Sequence, residues 1–444
     1  MPASLPRRPR LSALLAALTL ATLPGLAGAQ SLRELYEAAR AFDATYLAAK
    51  DNARSAEFRA AQSDALARPS AVATGGASTT QTDLPRSSGL RNSDSLSAAI
   101  NGRYPLINRA NGVTIEQARK SLVSAQADLD AAEQDLILRV TQAYFDVLAA
   151  QDALATTRAN KAATTEQLAS AKRNFEVGTA TITDTREAQA RFDLGTAQEL
   201  AAENDLLTKR IALDTLVGRN HVEPRPLALP PVLPAVTPAN PEEWVTTADQ
   251  QHPTVRRARV GLEVAVLETA KARAADAPTL DAVASVGGNN ARGSAVALSG
   301  TSTSASIGVQ FNWPLYTGGA TQNRIKETLA LEDKSRNDLE AARRAVAQGT
   351  RVAYFGVQSG LAQVKALEAA ESSTKLALEA TQLGYKVGVR VNLDVLNAQR
   401  DLYSTQRDLA RARYDVLVGS LRLRQASGQL APADIDSVNR LLAP

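Results

Sequence analysis

The chain has 444 residues, with Lys+Arg 50, Asp+Glu 46, two His, one Met and no Cys; 44% of it is hydrophobic but only 4% aromatic. So few rings leave little bulk for a conventional large core, and alanine must supply much of the apolar content, which favours close helix-on-helix packing. The lack of cysteine excludes disulfides, thiolate metal sites, cysteine nucleophiles and a lipid-modified cysteine anchor.

Residues 1–29 carry Arg7, Arg8 and Arg10, no acid, an apolar run from Leu11 to Leu23, and small residues at Ala27, Gly28 and Ala29. This order predicts a secretory signal peptide cut before Gln30. An N-terminal membrane anchor is the alternative, but the run is short for a span and Pro24 and Gly25 follow it. Removing the three arginines takes the net charge from +4 to +1, so no basic surplus is left to neutralise phosphates and no nucleic-acid partner is expected. No later stretch of about 20 apolar residues occurs, so membrane insertion would have to use β-strands.

Residues 30–220 read as helix, two strands, then very long helices. A faint strand pattern at Val72 to Gln81 is followed by a polar loop at Pro85 to Asn92, then by Leu96, Ala98, Ile100, Gly102 and Tyr104 alternating with Ser97, Ala99, Asn101 and Arg103. From Val113 to about Glu176 there is neither proline nor glycine, and Leu122, Leu129 and Leu136 recur every seven residues. That spacing predicts coiled-coil-like packing, and sixty-odd residues at 1.5 Å each make a rod of roughly 95 Å. Val177-Gly178-Thr179 interrupts the pattern, and helical periodicity resumes near Asp184 and runs to about Val217.

From His221 to Pro241 lie seven prolines (Pro224, Pro226, Pro230, Pro231, Pro234, Pro238 and Pro241), which predict an extended linker. Residues 242–426 then repeat the first unit. A faint strand at Leu280 to Gly288 and a loop at Asn289 to Thr301 precede the clearest alternation, in which Ala305, Ile307, Val309, Phe311 and Trp313 interleave with Ser304, Ser306, Gly308, Gln310 and Asn312. A helix follows from about Gln322 to Lys386, then a break at Val387-Gly388-Val389, and a helix from about Leu393 to Gln425. The tail, 427–444, lies outside the repeat.

The duplication is collinear at an offset of 209 or 210 residues. Asp43-Ala44-Thr45-Tyr46 falls on His252-Pro253-Thr254-Val255, Tyr104-Pro105-Leu106 on Trp313-Pro314-Leu315, and Ala143-Tyr144-Phe145 on Ala353-Tyr354-Phe355. Phe175-Glu176-Val177-Gly178 falls on Tyr385-Lys386-Val387-Gly388, and Asp184 on Asp394.

Four strands of about ten residues, apolar on one face and small or polar on the other, match outer-membrane barrel segments. Four cannot close a barrel, so an exposed sheet would leave unpaired edges in hydrocarbon; three copies would supply twelve strands. Tyr104 and Trp313 suit an interfacial girdle, with Pro105 and Pro314 ending the strands. A soluble β-sandwich is the alternative for the strands alone; the signal segment and the long helices favour the membrane. The fold class expected is therefore an α+β membrane protein, a coiled-coil-like α-helical barrel plus four β-strands per chain in a trimeric 12-stranded transmembrane barrel.

These residues resemble the TolC-type outer-membrane channel-tunnels over nearly the whole mature chain. The most specific part is Tyr385-Lys386-Val387-Gly388-Val389-Arg390 followed by Leu393-Asp394-Val395-Leu396-Asn397-Ala398-Gln399, with Val177-Gly178-Thr179 and Ile182-Thr183-Asp184 in the first unit. The resemblance implies a homotrimer in the outer membrane of a Gram-negative bacterium, among outer-membrane lipid, with the helices in the periplasm. It implies docking to a periplasmic adaptor (membrane-fusion) protein and an inner-membrane ABC or proton-driven pump, and export of proteins or small toxic compounds. By the same resemblance Tyr385 and Arg390 lock the constriction through hydrogen bonds and a charge pair to Thr183 and Asp184 of a neighbouring coil. Asp394, in three copies, would form a carboxylate ring; simple helix capping is its alternative. Where the family commonly carries a second acid this chain has Asn397, which weakens that ring. The tips, Val177, Gly178 and Thr179 with Val387, Gly388 and Val389, are expected to meet the adaptor or to serve as structural turns only.

No motif supports catalysis: G-x-x-x-x-G-K-[ST], H-E-x-x-H and G-x-S-x-G are all missing from the sequence. His221 and His252 sit in connecting segments and are expected to face solvent. No catalytic residue, cofactor or metal ligand is expected. The remaining alternative to an export duct is a soluble periplasmic coiled-coil adaptor or scaffold, which would need neither the alternating strands nor the doubled architecture.

Overall fold

The computed structural model describes residues 29–83, 91–228, 233–293 and 299–443. The expected signal segment up to residue 28 lies outside these, as do parts of both hairpin loops (84–90 and 294–298) and residues 229–232 of the proline strap. The first unit runs α1 (Leu32–Phe42), α2 (Ala44–Ser63), a short 3-10 turn, β1 (Ser70–Thr82), β2 (Arg91–Ile107), α3 (Arg109–Glu176) and α4 (Ile182–Val217). The second runs α5 (Pro241–Gln251), α6 (Pro253–Ala274), β3 (Thr279–Gly293), β4 (Gly300–Asn312), α7 (Ala320–Lys386) and α8 (Asn392–Ala426), and a short α9 (Pro432–Asn439) closes the chain.

The duplicated positions have physical jobs. Asp43 caps α2 by accepting from the Tyr46 amide at 2.8 Å, and its repeat mate His252 caps α6 by accepting from the Thr254 amide on Nδ1 at 3.1 Å. His252 is thus half-buried at a helix start rather than facing solvent, and burial lowers its imidazole pKa; His221 is exposed as expected. Pro241 opens α5 rather than ending the strap, because a first-turn position needs no amide donor and Asn240 caps it. Tyr144 and Tyr354 each stand edge-on to the following phenylalanine, at 5.5 and 5.4 Å. Each donates its hydroxyl to a carbonyl of the strap, Tyr144 to Arg225 and Tyr354 to Ala239.

Helices α3 and α7, with 68 and 67 residues, each extend about 100 Å. Along α8, Val395, Leu402, Leu409, Val416 and Leu423 recur every seven residues and are all buried, the seam of a coiled coil. The largest core joins α1, the middle of α3, the end of α4, the last turns of α8 and the tail, through Leu35, Ile137, Tyr144, Leu213, Leu417, Ile435 and Leu442. The tail is therefore a core element. Around α3 the helices form one layer, with α4, α3, α8 and α7 side by side towards the tips and α2, α3, α6 and α7 towards the sheet.

The sheet has the order β1-β2-β3-β4, antiparallel throughout. Its strands are longer than the alternation predicts. Arg91, Asn92, Asn289 to Gly293, Gly300 and Thr301 belong to the ladders and not to the loops, because backbone pairing continues where side-chain alternation fades. Pro105 also differs from its expected role: β2 continues through it to Ile107, and the register shifts there, so the proline is absorbed in an irregularity rather than ending the strand.

Candidate functional site

Both helical tips close the same way. Gly178 takes φ 78° and Gly388 φ 81°, each one residue past the cap of a long helix. The Thr179 amide returns to Asn174 O at 2.8 Å and Val389 to Gly384 O at 2.9 Å, while Gly178 and Gly388 bond Phe175 O and Tyr385 O. These are left-handed C-terminal caps. A Cβ on either glycine would meet nothing within 4 Å, so conformation and not space demands glycine there. Val177, Val387 and Val389 are 73%, 65% and 75% exposed around the turns, and Thr179 is exposed beside them.

Behind the turns, polar side chains tie the first-unit coil to the second. Asn392, only 1% exposed, accepts from Gln167 Nε2 of α3 and donates to the Asp184 carbonyl of α4 at 3.4 Å. Asn174 donates to the Tyr385 hydroxyl at 3.3 Å, and Arg191 donates to Asn397 Oδ1 at 3.0 Å. Leu168, Ala171, Ala188 and Leu396 pack between these links, and Tyr385 packs on the Leu378, Val395 and Leu402 cluster.

The expected lock residues have other partners within the chain. Asp184 belongs to a capping box, accepting from the Thr181 amide at 2.9 Å and the Thr181 hydroxyl at 2.7 Å. Thr183 is exposed. Arg390 pairs with Asp394 at 3.6 Å, an exposed contact one helical turn long and weak for that reason. Asp394 lies in the first turn of α8, where a carboxylate suits the helix dipole, but the capping residue is Val391, which has no acceptor side chain. A Cβ at Gly384 would fall 2.8 Å from Arg390 Cγ, so that glycine makes room for the arginine to lie back over α7. Gln167, Asn174, Arg191, Gly384 and Asn392 were not legible as site residues. Their one sequence signal was nearness to the repeated Val-Gly turns, and their burial and pairing depend on how two coils meet.

In the sheet, cross-strand pairs share a face. One face collects Ala73, Ile100, Val286 and Ala305, then Tyr104, Ala282 and Val309, and then Leu280 and Phe311. The other collects Ser95 with Ser78, and Ser285 with Ser306, bonded across the strands at 2.9 and 2.8 Å. Tyr104 stands on the apolar face; Trp313 follows β4, 54% exposed, with its indole donating to Asp276 O at 3.2 Å. Leu315 and Tyr316, next along the chain, are exposed as well.

Among the described residues no helix is long and apolar enough to cross a membrane. The chain thus sets a four-stranded antiparallel sheet with one apolar face on helical rods of about 100 Å, an arrangement that suits an outer-membrane channel. The chain belongs to the outer membrane efflux protein family, whose model matches residues 28–219 and 244–429. It is 36% identical to outer membrane protein TolC of Vibrio cholerae over 95% of each chain. It is 34% identical to the alkaline protease secretion protein AprF of Pseudomonas aeruginosa, over 69% of this chain and 64% of that one. Its fold is that of the outer-membrane channel OprN, with a TM-score of 0.78 at 19% identity over 90% of each chain. The protein is accordingly located in the outer membrane, and its family is one of transport ducts rather than enzymes.

Proposed function

We propose that three copies of this chain close a 12-stranded barrel and a continuous helical tunnel, and that the assembly carries proteins or small toxic compounds from an inner-membrane pump, through a periplasmic adaptor, to the outside. The observation that carries the reading is a pair of open edges on each half of the protomer. Among the described residues β1 and β4 each have one unpaired side, which hydrocarbon does not tolerate. In the helical layer, α7 at one edge exposes Val352, Phe355, Leu376 and Leu383, the last three in one heptad phase, and α4 at the other exposes Leu200, Leu207 and Ile211. Self-association of one edge with the opposite edge is heterologous and closes as a ring. The similarity to AprF supports a protein cargo, and the exposed valines at both tips support docking of an apolar adaptor surface there.

The gate is read at the tips. Arg390 leaves its weak contact with Asp394 to pair with Asp184 of a neighbouring protomer, and Tyr385 bonds Thr183 there. Asp394 rings the constriction, and with Asn397 held by Arg191 that ring has one acid per chain at this turn. Planar-bilayer recording tests the reading. Arg390→Ser and Asp184→Asn should raise the conductance alike, whereas Asp394→Ser should change cation preference more than opening. Equal effects of Arg390→Ser and Asp394→Ser, with none from Asp184→Asn, would confine Arg390 to its own helix and refute the lock.

A further inference from the structure

The strands hold five charged side chains among their described residues, and the register divides them between the faces. Asp94 and Arg292 are cross-strand partners on the apolar face, at the end away from the helices. The polar face carries Arg91 at that same far end and, at the helix end, Arg103 and Asp281 on adjacent strands. Between them the polar face is built of small uncharged residues such as Ser95, Ser97, Asn101, Ser285, Ser304 and Ser306. Arg103 Nη2 donates to Asp281 Oδ2 at 2.6 Å. The arginine side chain is 60% exposed on that face, while the aspartate beneath it is 7% exposed. Among the described residues Asp281 Oδ1 is buried with no hydrogen-bond partner, and Arg103 is the one cation paired with this carboxylate.

We propose that Arg103 and Asp281 are specificity-determining residues of the barrel. Resting on the trimeric reading above, three such pairs ring the lumen where barrel meets tunnel. There Arg103 cancels a carboxylate that would otherwise make this level a second cation-selective ring, remote from Asp394 at the tips. A ring of side-chain charge controls which ions pass, and its sign is felt over about one Debye length, roughly 8–10 Å. With the pair intact the level is neutral and passes cargo of either sign. The exposed guanidinium turns its remaining N–H donors to the lumen, while the aspartate positions it.

The test is single-channel recording with hexamminecobalt(III) added on the sheet side of trimers assembled from wild type, Arg103→Gln, Asp281→Asn and the double variant. Arg103→Gln keeps a hydrogen-bond donor over Asp281, so the strand geometry survives the loss of charge. Its apparent affinity for the trivalent cation is expected to rise by about tenfold or more, with a permeability ratio shifted towards potassium over chloride. Asp281→Asn is expected to shift that ratio towards chloride, and the double variant to return both readouts to wild type. Wild-type block and selectivity in Arg103→Gln pores would overturn the proposal. So would single variants that assemble poorly while the block and selectivity of the pores they form stay wild type, since that marks a purely structural pair. Wild-type protein that is folded but forms no pore would overturn the duct reading, and this proposal with it; pores in wild type separate the two failures.

Discussion

Asn392 offers the sharpest test of how the tips hold together. Its side chain is buried where α8 begins and links α3 and α4 through Gln167 and the Asp184 carbonyl. Asn392→Ala removes two neutral hydrogen bonds, each worth about 1 kcal/mol net, and leaves a buried amide and a carbonyl less well satisfied, so the coil-to-coil contact should weaken by about 2–3 kcal/mol. That is roughly 30-fold to 150-fold in any equilibrium between joined and parted coils. The cost falls on the tip alone, because the core that holds α1, mid-α3 and the tail lies elsewhere. If opening requires the second-unit coil to part from the first, trimers of Asn392→Ala should dwell in higher-conductance states by a factor of that order. Asn392→Asp, which keeps an acceptor for Gln167 but sets a buried, unpaired carboxylate against Asp184 O, should weaken the contact at least as much as Asn392→Ala. Wild-type conductance from an intact Asn392→Ala trimer would refute the argument that this contact parts on opening.

Asp43 and His252 occupy equivalent caps, yet only Asp43 also receives Arg139, through Nη1 at 2.9 Å and Nη2 at 3.1 Å. His252→Ala should cost about 1 kcal/mol and Asp43→Ala about 2–4 kcal/mol, read as faster hydrogen exchange at the start of α6 and α2 respectively; equal losses would count against the ion pair. Arg139 also holds the Asp43 carboxyl below its ordinary range. The stability Asp43 adds is thus present above the ordinary carboxylate pKa and lost as pH falls through the lower folded value, a loss Asp43→Ala should lack. Asp152 behaves oppositely. Burial raises its pKa although Tyr414 donates to it at 2.6 Å, so its ionised form costs stability as pH rises through the folded value. Asp152→Asn should therefore melt higher than wild type at pH 7 and lose that advantage at pH 4, and a pH-independent difference would exclude the mechanism. Gly388→Ala, with open space around it but φ 81°, should destabilise the tip turn by about 1–2 kcal/mol and leave the global melting temperature unchanged.

Much of the fold was legible because it follows from period and punctuation. A heptad along α3, a period of two around Ile307, the absence of proline and glycine between Val113 and Glu176, and the repeated Val-Gly turns each act within a few residues of the chain, where local geometry decides. Comparison of the halves further paired Tyr144 with Tyr354 and Asp43 with His252 before any contact was visible. The roles of those pairs were not legible: a tyrosine shows its ring but not the strap carbonyl it bonds, and a histidine before a proline looks like a loop residue until the helix it caps is built.

The tertiary structure decided what depends on two distant segments meeting. It drew the tail into the core through Ile435 and Leu442, carried β2 through Pro105, and gave Arg390 an in-chain partner in Asp394 while committing Asp184 to its own cap. It also buried Asn392 between coils and set Arg103 over Asp281, 178 residues away in the chain. Helix, strand and turn are dictated by neighbours in sequence, so the sequence alone determined the architecture of this protein. Which polar groups satisfy one another is set by the packing of whole elements, because a buried donor or acceptor takes whatever partner that packing brings within about 3 Å.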